Sequence, residues 1–291
     1  MICGSKLKVY RKRRGAQLKT SIVKRMLSVA LASFVGLCAQ TAVFAKEPLV
    51  IAASPSLSVP LEALGRAFET THPDVKVMLY FDDGLDIRRT IAAMENTPIG
   101  QYFIGKGPIH LIAPGGDELI TRLQQRYYVL PDSRYPYATE PLSLIVPESQ
   151  VDAPGSFEAL AQSAQVRVAI ADPSLTSLGQ KSVELLTRLG LADSLKGRMD
   201  VAADARGVLD HVLSGDADVG IVFGPDALEE SQRVRIAAIS DERLYKPTIH
   251  SMAMERYCPN RNLCQEFLTF IQTPEAQSVL KQLGYGSPIK Q

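Results

Sequence analysis

Ser54-Pro55-Ser56 stands between the apolar run Leu49–Ala53, of strand character, and Leu61–Phe68, whose apolar positions recur at helical spacing. A strand that stops in small hydroxyl residues where a helix begins directs free backbone N–H groups and the positive end of the helix dipole at one spot. The chemistry such a spot supports is capture of an anion or a polar ligand group without a covalent step. Ser56 therefore has two readings, as a ligand contact or, with Ser58, as a helix N-cap.

Three later stretches repeat the arrangement. Val166–Ile170 runs into Asp172-Pro173-Ser174-Leu175-Thr176-Ser177-Leu178-Gly179 ahead of a helical pattern from Gln180 to Leu189. Val201-Ala202 leads to Asp204-Ala205-Arg206-Gly207, and Val219–Val222 leads to Phe223-Gly224-Pro225-Asp226-Ala227. Phe81-Asp82-Asp83-Gly84 instead places two acids where a strand gives way to a helix, as an N-cap with its dipole partner or as groups that recruit a ligand.

Catalytic chemistry has little to stand on. A hydrolase triad needs a nucleophile beside a base, yet no recognisable motif sets a His or an acid beside Ser56. Phe223-Gly224-Pro225-Asp226 lacks the lysine of a phosphate loop. Asp82, Asp83 and His110 offer hard oxygens and an imidazole without a metal-ligand spacing. A binding protein is expected, not an enzyme, with no cofactor and no resident metal.

The elements that position these junctions alternate. Strands are expected at Val75–Phe81 and Ile109–Ala113, with helices at Leu85–Ile91 and Glu118–Gln125. A βαβα chain calls for a parallel sheet covered by helices, with ligands at the carboxyl ends of its strands. At Leu142–Val146 the chain crosses into a second unit, and at Thr248–Met254 it returns, followed by helices at Leu263–Ile271 and Pro274–Leu283. The fold class read from this is α/β, two lobes each with a mainly parallel sheet flanked by helices, joined by two crossover segments. One lobe takes residues 46–140 and 250–291, and the other takes 141–249. Asn96 to Gly107 is a long connector for such a fold and reads as a lid, a partner-contact loop or a mobile excursion.

Nine of the 32 Lys and Arg lie in the first 45 residues without one acid, ahead of the apolar run Met26–Phe44. That run ends in Val43-Phe44-Ala45, so residues 1–45 read as a secretory signal peptide and the mature chain as periplasmic. From Lys46 on, 23 basic residues face 31 acidic ones, a formal charge of −8. A chain of that charge has no global attraction for nucleic acid, and a bound anion must be held by local dipoles. The mature chain keeps only Cys258 and Cys264, which in an exported protein read as a disulfide ahead of a metal pair.

Ile51–Leu57, Ala67-Phe68-Glu69 with His72–Val77, Asp172-Pro173 with Gly179, Leu189-Gly190-Leu191, Ala217–Val222 and the closing Gln277–Tyr285 together resemble the periplasmic molybdate-binding proteins of ABC importers. The resemblance covers nearly all of the mature chain, in order. It implies a type II periplasmic-binding-protein fold that closes around a ligand between its lobes, a monomer, and an ABC permease as partner. It places the family's first ligand-binding serine at Ser56, beside Ser54, and the second at Gly84, which follows Asp83 where the family has glycine. Backbone contacts of the second lobe fall at Leu178, next to Ser177, and at Ala205, and the family's tyrosine hydroxyl falls at Phe223. Two of three side-chain donors are thus absent, and a hydrogen bond to a charged ligand contributes on the order of 1.5–3 kcal/mol.

A solute-binding protein of an ABC importer is the leading function, with a molybdate-like oxyanion in the cleft. The alternatives are a periplasmic interaction or accessory protein that kept the fold and binds an organic or cationic ligand, drawn by Asp82, Asp83 and His110, or no small ligand.

Overall fold

A computed structural model describes residues 46–82, 108–162 and 165–288. Lys46–Gln291 forms one compact unit. The expected signal peptide 1–45, Asp83 and Gly84, the expected helix at Leu85–Ile91 and the connector from Asn96 to Gly107 lie outside the described residues.

Two five-stranded sheets carry the chain. The first contains β1 (Glu47–Ala53), β2 (Val75–Phe81), β3 (Leu111–Ala113), β4 (Tyr135–Thr139) and β10 (Ile249–Met254), in the order β2-β1-β3-β10-β4. The second contains β5 (Leu142–Pro147), β6 (Val168–Ala171), β7 (Met199–Ala202), β8 (Val219–Phe223) and β9 (Val234–Ile239), in the order β7-β6-β8-β5-β9. The two orders are the same pattern repeated.

In the first sheet β1 pairs parallel with β2 and β3, while β10 runs antiparallel to both its neighbours, β3 and β4. In the second, β6 pairs parallel with β7 and β8, while β5 runs antiparallel to β8 and β9. Four strands of each sheet therefore point one way. The reversed one is the strand through which the chain enters from the other sheet, which is how a mainly parallel sheet accommodates a crossover.

Helices cover both faces of the first sheet. Leu49, Ile51 and Ala53 of β1 join the side chains of α1 (Ser58–Thr71), α7 (Arg261–Phe270) and α8 (Pro274–Gln282) in one core. Val50 and Ala52, pointing the opposite way, join Ile120 and Leu123 of α2 (Asp117–Gln125) in another. This is why Leu49–Ala53 reads as an unbroken apolar run: a strand buried on both faces has no polar side to alternate with. The second sheet is flanked by α3 (Ser177–Arg188), the short α4 (Ala192–Leu195), α5 (Ala205–Ser214) and α6 (Gly224–Glu229) around a single core.

Cys258 and Cys264 are joined as a disulfide, both buried in the core under α1 and α7. The bridge staples the turn that enters α7.

Candidate ligand-binding junctions

The carboxyl ends of β1, β2 and β3 are level. Ala53 pairs with Phe81 on one side and Ala113 on the other, and the chain is locked just beyond by Ser54 N donating to Ala113 O (3.0 Å) and Asp82 N to Ala53 O (2.9 Å). Pro55–Leu57 then makes one turn of 3-10 helix before α1. Neither serine expected as a cap performs that role. Ser58 is the first residue of α1, the N-cap is Leu57, and no side-chain cap bond forms at the 3-10 turn or at α1.

The hydroxyls of Ser54 and Ser56 lie 3.1 Å apart instead. One proton serves that bond, which leaves the other O–H to donate outward. Ser56 is exposed and Ser54 half-buried, so the pair opens to solvent. Its back wall is the turn after β3. Gly115 holds a left-handed φ of 81°, and a Cβ there would come within 2.9 Å of Ser54 Cβ and 3.6 Å of Ser56 Oγ. Only glycine lets that backbone approach so closely. The adjoining helix α2 carries Asp117 in its first turn, where the carboxylate accepts from Ser251 Oγ (2.5 Å) and pairs with Arg134. The acid is thereby compensated before it can repel an anion.

In the second sheet the junction side chains turn back onto their own helices. Thr176, the N-cap of α3, accepts from Gly179 N at 2.9 Å. Asp204, the N-cap of α5, accepts from Gly207 N at 2.9 Å. Because a cap of this kind satisfies the third N–H, those of the first two residues have no partner inside the helix. These are Ser177 and Leu178 in α3, and Ala205 and Arg206 in α5. Gly179 sets where the first pair sits: an added Cβ would lie 2.2 Å from Ala171 O, so the first turn of α3 rests directly on the end of β6.

Phe223 is the N-cap of α6 and is half-buried, with a ring where the resemblance places a tyrosine hydroxyl. Asp226, in the first turn, accepts from the Phe223 backbone. Burial, with the charges of Glu140 and Glu229, still pushes its carboxyl up to about 6.

The two sets of junctions are tied together by Lys246, just ahead of β10. Its Nζ meets Glu118 Oε1 of α2 at 3.0 Å, its carbonyl accepts from Lys181 Nζ of α3 at 2.7 Å, and its N–H donates to Glu184 Oε2 at 3.2 Å. Burial, then the neighbouring Lys246 charge, lowers the pKa of Lys181, while the bond from Lys246 lowers that of Glu118. The first turn of α2 is thus linked through one residue to the second turn of α3.

His110 does not belong to this set. It is buried, with Nδ1 3.2 Å from Val50 N and 3.0 Å from Pro108 O, and burial lowers its pKa. Ser54, Ser56, Ser177, Leu178, Ala205 and Phe223 all lie at strand-to-helix junctions as expected, whereas Asp83 and Gly84 fall outside the described residues. Sequence reasoning missed the wall formed by Gly115, although Pro114-Gly115-Gly116 after a strand was a visible signal of a tight turn. It also missed the Lys246 bridge, for which no local signal exists.

The family of bacterial extracellular solute-binding proteins matches residues 49–286. A Bacillus subtilis protein described as an ABC transporter substrate-binding lipoprotein is 24% identical over 240 residues, 82% of this chain and 86% of its own. The molybdate-binding protein of Haemophilus influenzae is 32% identical over 123 residues, 42% of this chain and 47% of its own. Among solved structures, a Clostridium difficile substrate-binding domain assigned to a molybdenum ABC transporter superposes with a TM-score of 0.71 at 21% identity, covering 84% of this chain and 100% of that one.

Proposed function

The chain belongs to the bacterial extracellular solute-binding protein family, and we propose that it is the substrate receptor of an ABC importer, holding a molybdate-like tetrahedral oxyanion between two lobes. The observation that carries this reading is the Ser54–Ser56 hydroxyl pair, released from capping and open at the carboxyl end of β1. Ser177, Leu178 and Ala205 contribute backbone N–H groups from the opposite side, where helix N-termini favour negative charge. Lobes of residues 46–140 with 250–291, and of 141–249, fit the two sheets. Residues 1–45 act as a signal peptide in this reading, the mature protein is a periplasmic monomer, and it delivers its ligand to a permease without altering it.

Titration calorimetry of the purified protein with molybdate, tungstate, sulfate and phosphate tests it. Heat with the group-six oxyanions at micromolar concentration supports the reading. No heat with any of the four at millimolar concentration overturns it.

Phe223 favours a second reading. An aromatic ring in place of the family's hydroxyl removes a donor and adds apolar surface, which suits an organic ligand in the same cleft. Binding of a neutral or cationic organic molecule together with silence toward all four inorganic ions would establish it. Asp82, which follows β2, would then serve the ligand's hydrogen-bonding or cationic end.

A further inference from the structure

The end of the first sheet remote from the serine pair carries a different chemistry. Glu255 N, just after β10, donates to His110 O ahead of β3 (3.0 Å), Arg256 N donates to Tyr128 O behind α2 (3.0 Å), and Asn260 Nδ2 donates to Glu47 Oε1 at the start of β1 (2.5 Å). The end of α2, the turn after β10 and the start of α7 are thereby drawn together at the amino end of β1. That strand runs seven residues from Glu47 before Ser54 is reached.

Arg122 and Arg126 stand at the end of α2, Arg256 in the turn and Arg261 at the first position of α7, all four exposed. The ion pairs among the described residues include none of them. Glu118, one turn before Arg122, is taken by Lys246. The acid inside the group, Glu255, is buried, and burial pushes its carboxyl up to about 7, so it offsets little of their charge at neutral pH. A cation at the first position of a helix opposes the dipole, so Arg261 does not serve α7. Two tyrosines lie among the arginines. The Arg256 guanidinium sits over the Tyr257 ring, 5.1 Å from its centroid. Tyr127, just past α2, is 66% exposed and holds a left-handed φ of 57°, the one described residue other than glycine to do so. Glycine takes such a place without strain, so a tyrosine with its ring in solvent is kept there against local stability.

We propose that this face docks on the surface of an anionic phospholipid bilayer, with the four guanidinium groups on lipid phosphates and the Tyr127 ring at the level of the headgroups. Guanidinium matches phosphate in a bidentate fork, and tyrosine, apolar with a polar tip, favours the membrane–water interface. A few such cations beside an anionic leaflet give weak, reversible attachment. The chain from Lys46 on is acidic as a whole, but charges further from the bilayer than a Debye length, about 8 Å, are largely screened, so the local patch decides. Lys46, just past the apolar run Met26–Phe44, directly precedes β1 at this end of the sheet. That attachment point and the exposed ring favour a bilayer over an acidic protein as the partner. Ser54 and Ser56, at the other end of β1, stay uncovered.

Sedimentation of the purified protein with lipid vesicles tests the proposal. Vesicles with about one-third phosphatidylglycerol are expected to bind it about tenfold more tightly, or more, than vesicles of phosphatidylcholine alone, and the difference should shrink as salt is raised. Arg126→Gln combined with Arg256→Gln is expected to weaken binding to the anionic vesicles about tenfold or more. Tyr127→Gly is expected to weaken it severalfold while the melting temperature holds or rises, because the left-handed strain is relieved. Equal binding to the two vesicle compositions, full binding in either variant, or equally tight retention on immobilised polyglutamate would each overturn the proposal. If the double variant fails to fold, the vesicle comparison and Tyr127→Gly decide the matter.

Discussion

At the end of β1, Ser54 and Ser56 bond to each other and leave α1 uncapped, whereas at the ends of β6 and β7, Thr176 and Asp204 bond back to Gly179 and Gly207 of their own helices. The two sheets share one strand order, so the difference lies at the junctions, in their side chains and in the 3-10 turn ahead of α1, and not in the strand topology. One half leaves a side-chain hydroxyl uncommitted to any helix. The other uses its side chains to hold helices in place and leaves the first two backbone N–H groups of each helix without an intrahelical partner. Substitutions in the first half should therefore act on binding, and those in the second on stability.

Gly179→Ala is the harshest test of the second half. A methyl 2.2 Å from Ala171 O cannot be accommodated without moving α3 off β6. Chemical denaturation should show a loss of more than about 3 kcal/mol. A loss within measurement error would mean that the helix start is not held there.

Asp226, whose side chain also serves its own helix, makes the stability role pH-dependent. The native carboxyl keeps its proton up to about pH 6, against 3.8 for the ordinary group. The native state thus binds more protons in that interval, and stability should fall as pH rises through it, by roughly 3 kcal/mol in all. Denaturant titrations from acid to neutral pH should show the slope in the wild type and a flatter profile in Asp226→Asn. Parallel profiles would show that Asp226 titrates alike in the native and unfolded states.

Ser56→Ala probes the first half. On the proposed function it should weaken oxyanion binding by about 1.5–3 kcal/mol in calorimetry. The melting temperature should stay close to that of the wild type, because no cap is lost. A clear drop in melting temperature with unchanged affinity would reverse the comparison. Thr176→Ala is the matching change across the cleft and the smallest expected effect, about 1 kcal/mol of stability, with little change in affinity.

Much of the architecture was legible beforehand because it rests on local patterns. The unbroken apolar runs of β1, β6 and β8 and the helical spacing after them fix an α/β chain, and Leu142–Val146 and Thr248–Met254 mark its crossings. The junction residues were legible for the same reason, since they sit where one periodicity gives way to the other. Whether Ser56 caps a helix was not legible. That depends on a one-turn 3-10 insertion which shifts the start of α1 to Ser58, and on Gly115 arriving from another strand. Lys246 could not be assigned either, since its partners Glu118, Lys181 and Glu184 are distant in sequence.

Sequence by itself determined the alternation of strands and helices, the four junctions, the disulfide pair and the family, because each is written in neighbouring residues or short spacings. Only the tertiary structure decided which hydroxyls are free and which are consumed. It also decided which buried side-chain oxygens, among them Tyr137 OH, Ser143 Oγ, Glu242 Oε1 and Gln277 Oε1, are left without partners. A hydrogen bond belongs to whichever group the fold brings within about 3 Å, and most of the competing partners come from chain that is remote in sequence.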